Sequence, residues 1–174
     1  MCMFLSLVLI MMSSTFAMAQ EKYGFKVAGV DVTGDNYLDL TQISGVSGKV
    51  SFDPNTKTLT LDNATIEIDG SNAILNQTCK DLVIELLGTN TFNVTNSAGI
   101  YTCESTTIMG GSGSKLTIEN DRCAVLFESS PLEIVNCWLE AEGEWGISAN
   151  NNVAEEVLTI RNSHVEATGP TGSI

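Results

Sequence analysis

At 174 residues, 43% of them hydrophobic and 17% charged, the chain has the balance of a single folded domain rather than of a disordered segment. Its 21 acidic side chains outnumber the eight basic ones, giving a formal charge of −13. Such a field repels a phosphate backbone and an anionic membrane surface, which argues against nucleic acid as a partner and leaves neutral glycans, cations such as calcium, or simple solubility as its purpose.

The chain opens with an apolar run, Met1 to Met12, interrupted by Ser6, and passes through Ser13, Ser14 and Thr15 to Ala17-Met18-Ala19. A short hydrophobic core ahead of an A-x-A site reads as a signal peptide over residues 1–19, cleaved before Gln20. The run is shorter than the roughly 20 apolar residues a membrane-spanning helix needs. The mature chain is therefore expected to lack a transmembrane span and to be secreted or held at the cell surface, in the periplasm or on the outer-membrane exterior. No Lys or Arg precedes the run, which points to a start further upstream or to a fragment.

Residues 20–58 read as capping strands. Val27-Ala-Gly-Val-Asp-Val32 has strand composition, and Val50-Ser-Phe52 and Thr58-Leu-Thr-Leu61 flank the hairpin-like turn Asp53-Pro-Asn-Thr-Lys57. Between them, Asp31, Asp35 and Asp39 set oxygen donors around Gly34, the residue types calcium takes, although the EF-hand spacing and its terminal Glu are missing. A polar turn is the competing reading.

From residue 59 to 174 the chain repeats. Leu59-Thr-Leu-Asp-Asn63-Ala-Thr-Ile66, Leu132-Glu-Ile-Val-Asn136-Cys-Trp-Leu139 and Leu158-Thr-Ile-Arg-Asn162-Ser-His-Val165 share the pattern L-x-[LI]-x-N-x-x-[ILV] without a gap. Looser copies begin at Leu82 and Thr107, with Gly- or Asn-rich turns. A small residue followed by an aliphatic one recurs at Ala73-Ile74, Gly99-Ile100, Ala124-Val125 and Gly146-Ile147, at spacings of 26, 25 and 22. Each unit of about 25 residues holds three short alternating stretches and no helical period. Strands with no helix to cover them must stack on copies of themselves, so the fold predicted is all-β, a right-handed single-stranded parallel β-helix with three strands per coil. Leu59, Leu61, Ile66, Ile68, Leu82, Ile84, Leu132, Ile134, Leu139, Leu158, Ile160 and Val165 are expected inside. Asn63, Asn136 and Asn162 are expected at bends, where Asn tolerates the left-handed backbone. The coils are expected to be incomplete at the C-terminus, because the chain stops after Gly169-Pro-Thr-Gly-Ser-Ile174 without a cap.

Four cysteines follow the leader: Cys79, Cys103, Cys123 and Cys137. Their spacing matches no zinc or redox motif, leaving buried thiols or a disulfide between Cys79 and Cys103 on adjacent coils. The N-x-T sequons at Asn63, Asn76 and Asn93 would be glycosylation acceptors in a eukaryotic secretory protein, and in a bacterial one incidental products of Asn-rich turns beside Thr-rich strands. A single histidine, His164, and two arginines, Arg122 and Arg161, leave little for a polysaccharide lyase or a catalytic triad.

The run from Ile43 to Ile66, together with repeats of the Leu158-Thr-Ile160 type, resembles exported β-helix proteins of Bacteroidota bacteria that carry carbohydrate-binding or adhesin-like labels. The resemblance spans most of residues 27–174 and implies that architecture and a non-catalytic role against a polysaccharide or a host or cell-surface glycan. It rests on turn and core residues and carries no binding motif over. The alternatives are a structural stalk without ligand and a fragment of a polysaccharide lyase or hydrolase. Aligning the second strands sets Thr65, Thr91, Trp138 and His164 in one outward column and Glu67, Asn93, Glu140 and Glu166 in the next. Trp138, His164, Glu140 and Glu166 are thus the candidate glycan-binding residues, with Glu140 and Glu166 about one coil spacing, roughly 4.8 Å, apart.

Overall fold

The computed structural model describes residues 20–150 and 152–172, so the leader and its A-x-A motif lie outside the described residues. Strand makes up 59% of the structure, arranged as a β-solenoid of about four turns with roughly 26 residues per coil. No helix among the described residues is long and apolar enough to cross a membrane.

Every coil lays down three strands. The first uses the two halves of β4 (Thr58–Asp69), which bends at Asn63, and then β5 (Ile74–Asn76). The second is β6 (Leu82–Leu87), β7 (Thr89–Thr95) and β8 (Ile100–Thr102). The third is β9 (Thr106–Gly110), β10 (Lys115–Asn120) and β11 (Cys123–Phe127). The fourth is β12 (Leu132–Val135), β13 (Trp138–Glu142) and β14 (Trp145–Ala149). After it, β15 (Leu158–Arg161) and β16 (His164–Thr168) pair on β12 and β13. All pairing between coils is parallel, on three faces, with hydrogen bonds running along the solenoid axis.

Side-chain alternation drives this stacking, because every second residue of each strand points inward onto its equivalent one coil away. The first face buries the row Leu59, Ile84, Ile108 and Ile134, each fully inaccessible, and continues to Ile160. The second stacks Ile66, Phe92, Ile118 and Ala141 onto Ala167. The third stacks Ile74, Ile100, Val125 and Ile147, the aliphatic members of the small-aliphatic marker. The small member is small for a steric reason: a Cβ on Gly99 would stand 2.5 Å from the Ala124 carbonyl oxygen and from Ile118. Fully burying each such side chain stabilises the fold by roughly 1.5 to 3 kcal/mol.

The first coil is closed by antiparallel strands. The segment Val27–Val32 is not one strand but two, β1 (Lys22–Val27) and β2 (Val30–Thr33), because Ala28 and Gly29 both take positive φ (45° and 76°) and fold the chain back on itself. β1 pairs antiparallel with β5, and β3 (Val46–Asp53) pairs antiparallel with β4 across the Asp53–Lys57 turn. Phe25 and Phe52 pack edge to face with centroids 4.7 Å apart, and Tyr23 joins them, covering the inner rows of the first coil.

Two expectations change. Ile160 keeps its inward phase but is 42% exposed, and Leu158, Val165 and Ile68 are only partly buried. The first three belong to the last described coil, whose inner rows have a neighbour on one side only. The ungapped pattern also misplaces its first copy by two residues. Leu59 lies opposite Ile84 and so stands in the row of Ile134 and Ile160, not in that of Leu132 and Leu158. Asn63, Asn136 and Asn162 do adopt left-handed backbones, at φ 49°, 54° and 50°. Asn76, one of the sequons, is fully buried and binds the Cys79 backbone from both ends of its carboxamide.

Candidate functional site

The second face carries the side chains of interest. Register places Thr89, Lys115, Trp138 and His164 in one outward column, and Thr65, Thr91, Thr117, Glu140 and Glu166 in the column two residues on. Trp138 therefore faces His164 and Glu140 faces Glu166, whereas Thr65 and Thr91 belong with the glutamates rather than with Trp138. The cause is the two-residue slip just described, which keeps each side chain on its own face while moving it along the strand.

Trp138 is 43% exposed. Its two register neighbours hold it: the His164 ring centroid lies 4.4 Å away at an interplanar angle of 52°, and the Lys115 ammonium stands 5.3 Å from the indole centroid. Lys115 also donates to Glu140 at 2.7 Å, and Thr117 donates to the other oxygen of the same carboxylate at 3.1 Å. The Lys115 hydrogen bond, more than any other contact, holds the Glu140 carboxyl below the usual carboxylate range. His164 Nε2 lies 2.8 Å from Glu166 Oε1. Two carboxylates one coil spacing apart repel each other, and here each has its own partner: Glu140 a lysine from the preceding coil, Glu166 the His164 ring. Lys115 was hidden in sequence because it follows the Gly111-Ser-Gly-Ser114 loop, where the repeat pattern is weakest.

That loop shapes the site. Between the strands of the first two faces the fourth coil needs only Asn136 and Cys137, whereas the third coil spends the four residues Gly111 to Ser114 on the same corner. The loop and the Lys115–Trp138–His164 row enclose a shallow pocket of about 340 Å³, also lined by Asn136 and Asn162. Other surface grooves reach about 470 Å³, so size does not distinguish this one. Its lining does, joining an exposed indole to a paired ammonium, an imidazole and two carboxamides, with no carboxylate. The other exposed tryptophan, Trp145, serves the fold: its ring lies against Gly172, where an added Cβ would approach it to 2.5 Å.

The aspartates do not converge. Asp31 is paired with Lys22 at 2.6 Å, Asp35 accepts from Gln20 at 2.6 Å, and Asp39 accepts from the Thr41 backbone and hydroxyl at the start of the 3-10 turn Leu40–Gln42. These local hydrogen bonds occupy the oxygens a cation would need, and among the described residues no three His, Cys, Asp or Glu side chains group to hold a metal. Cys79 and Cys103 are free thiols, as are Cys123 and Cys137. Register sets Asn76 opposite Thr102, so Cys103 lies level with Gln77 and not with Cys79. Burial raises all four thiols above their ordinary value, Cys123 to about 11, which keeps them protonated and unreactive at neutral pH.

Comparison with protein-family models, with curated proteins and with solved structures finds no match.

Proposed function

We propose that this β-helix is an exported, non-catalytic carbohydrate-binding protein of the adhesin-like kind, which seats one sugar of a polysaccharide or cell-surface glycan in the pocket beside Trp138. The observation that carries this reading is a large aromatic side chain left 43% exposed at a recess and held rigidly by its neighbours. A fixed indole offers apolar surface to the C–H groups of a sugar at little entropic cost, while the polar lining supplies hydrogen bonds for orientation. A polysaccharide lyase or hydrolase is less well supported, because Glu140 and Glu166 lie outside the pocket lining and each is engaged by its own partner.

The Lys115–Trp138–His164 stack favours a second reading, in which the row only fastens coils together in a stalk without ligand. A glycan array with the native protein and Trp138→Ala separates the two. The binding reading expects retention of at least one glycan, lost in the variant. It also expects a fall in melting temperature of only a few degrees, since stacking and cation–π contacts at exposed sites are worth about 0.5 to 1.5 kcal/mol. An array on which nothing is retained, or a variant that binds like the native protein, refutes it.

A further inference from the structure

We infer that Asn136 and Asn162 read the sugar, hydrogen-bonding its hydroxyls, and that the sugar is neutral; the inference rests on the carbohydrate-binding reading of the Trp138 pocket. Both residues sit at corners with positive φ, and that alone explains an Asn or a Gly. Other corners use glycine for the same backbone, Gly88 at φ 66° and Gly113 at φ 83°. The bend therefore does not require a carboxamide.

Asn63 shows what a carboxamide does when the fold uses it. Its Oδ1 accepts from the Thr89 backbone at 3.2 Å, and its Nδ2 donates to Asp62 at 2.7 Å. Asn136 engages only its backbone N–H, with the Arg161 carbonyl. Among the described residues neither the Asn136 nor the Asn162 carboxamide has a hydrogen-bond partner within the chain, and both are exposed and line the pocket beside Trp138. Because Val135 lies opposite Arg161, the two corners are one coil apart, about 4.8 Å. The result is a pair of unpartnered carboxamides, one coil apart, on residues that line the same recess.

Each carboxamide offers a donor and an acceptor, and a sugar hydroxyl is both. A carboxylate only accepts, so it would leave each Oδ1 unmatched. Charge points the same way. Lys115 is already paired with Glu140 and His164 with Glu166, and the chain as a whole carries −13. No unpaired cation at the pocket is available to repay the approach of an anionic sugar.

The test is an array of neutral gluco-, manno- and galacto-oligosaccharides beside uronic-acid oligosaccharides of matched length, probed with the native protein and with N136G, N162G, N63G and Trp138→Ala. Glycine keeps the left-handed corner while removing the carboxamide. N136G and N162G are each expected to weaken binding to the retained neutral glycan about 3- to 10-fold and to leave the melting temperature within about two degrees of native. N63G should do the reverse, lowering the melting temperature and leaving affinity alone. Retention should not change between low and high salt. If N136G and N162G both bind like the native protein, or only uronic-acid glycans are retained, while Trp138→Ala still abolishes binding, this inference falls and the pocket reading stands. If Trp138→Ala has no effect, or no glycan is retained, both fall together.

Discussion

Ile108 lies in the middle of the first-face row, with Ile84 on one side and Ile134 on the other, and all three are fully inaccessible. Ile108→Ala removes three carbons from a site closed above and below, where the neighbouring coils, tied by their own hydrogen bonds, cannot collapse into the space. The lost transfer energy is about 2.4 kcal/mol at roughly 0.8 per methylene, and the residual cavity raises the total into the range of about 2 to 5. Ile160 holds the same lateral position but is 42% exposed. Its truncation forfeits only the buried share and leaves no enclosed cavity, so about 1 to 1.5 kcal/mol is expected. For a domain of this size each kcal/mol moves the melting temperature by about 2 to 4 °C. Ile108→Ala should therefore melt about 4 to 20 °C below native, and Ile160→Ala only about 2 to 6 °C below, followed by far-UV circular dichroism and checked by urea unfolding. Equal losses, or a larger one at Ile160, would refute the stacked row as the source of stability.

Acid should act on the site through Glu140. Its folded-state carboxyl is depressed chiefly by the Lys115 hydrogen bond, so the contact's stabilisation is fully present above the ordinary carboxylate range and is lost as pH falls through the folded value. An NMR titration should find Glu140 below ordinary glutamates and raised by Lys115→Met; identical titrations with and without the lysine would show that the pair does not form in solution. Glycine replacements should divide by geometry. A Cβ on Gly48 (φ 89°) would stand 2.3 Å from the Asn63 carbonyl oxygen, whereas one on Gly111 meets nothing within 4 Å. Gly48→Ala should cost at least about 1 to 3 kcal/mol and Gly111→Ala less than about 0.5, read from urea midpoints; similar costs would contradict the close approach of β3 to β4.

Much of the fold was legible because a solenoid solves the same packing problem once per coil. The recurrence of Ile74, Ile100, Val125 and Ile147 revealed the period, and in the structure these four residues do share one row. Inside and outside followed from alternation, which survives any slip by an even number of residues. That tolerance is also why the Leu59 copy was set two residues out: an inward aliphatic row accepts Leu59 beside Ile134 as readily as beside Leu132, and only the backbone pairing of β4 with β6 decides between them. Trp138 and His164 came out adjacent because Asn136-Cys137 and Asn162-Ser163 make corners of equal length in their two coils, so sequence alignment and spatial register coincide there.

Sequence alone thus determined the stacked architecture, the chemistry of each face and the left-handed corners, since these depend on residue type and local periodicity. Only the tertiary structure decided which partners each polar group met. Asp31 and Asp39 look alike as oxygen donors in a chain of letters, but one is paired with Lys22 and the other caps a turn. Asn63 and Asn136 occupy the same kind of bend, yet one carboxamide is spent on the Thr89 backbone while the other belongs to an exposed residue lining the pocket. Hydrogen bonds act over about 3 Å and only along fixed directions, so the lengths of the corners, through the lateral register they impose, settle which side chains remain to meet a ligand.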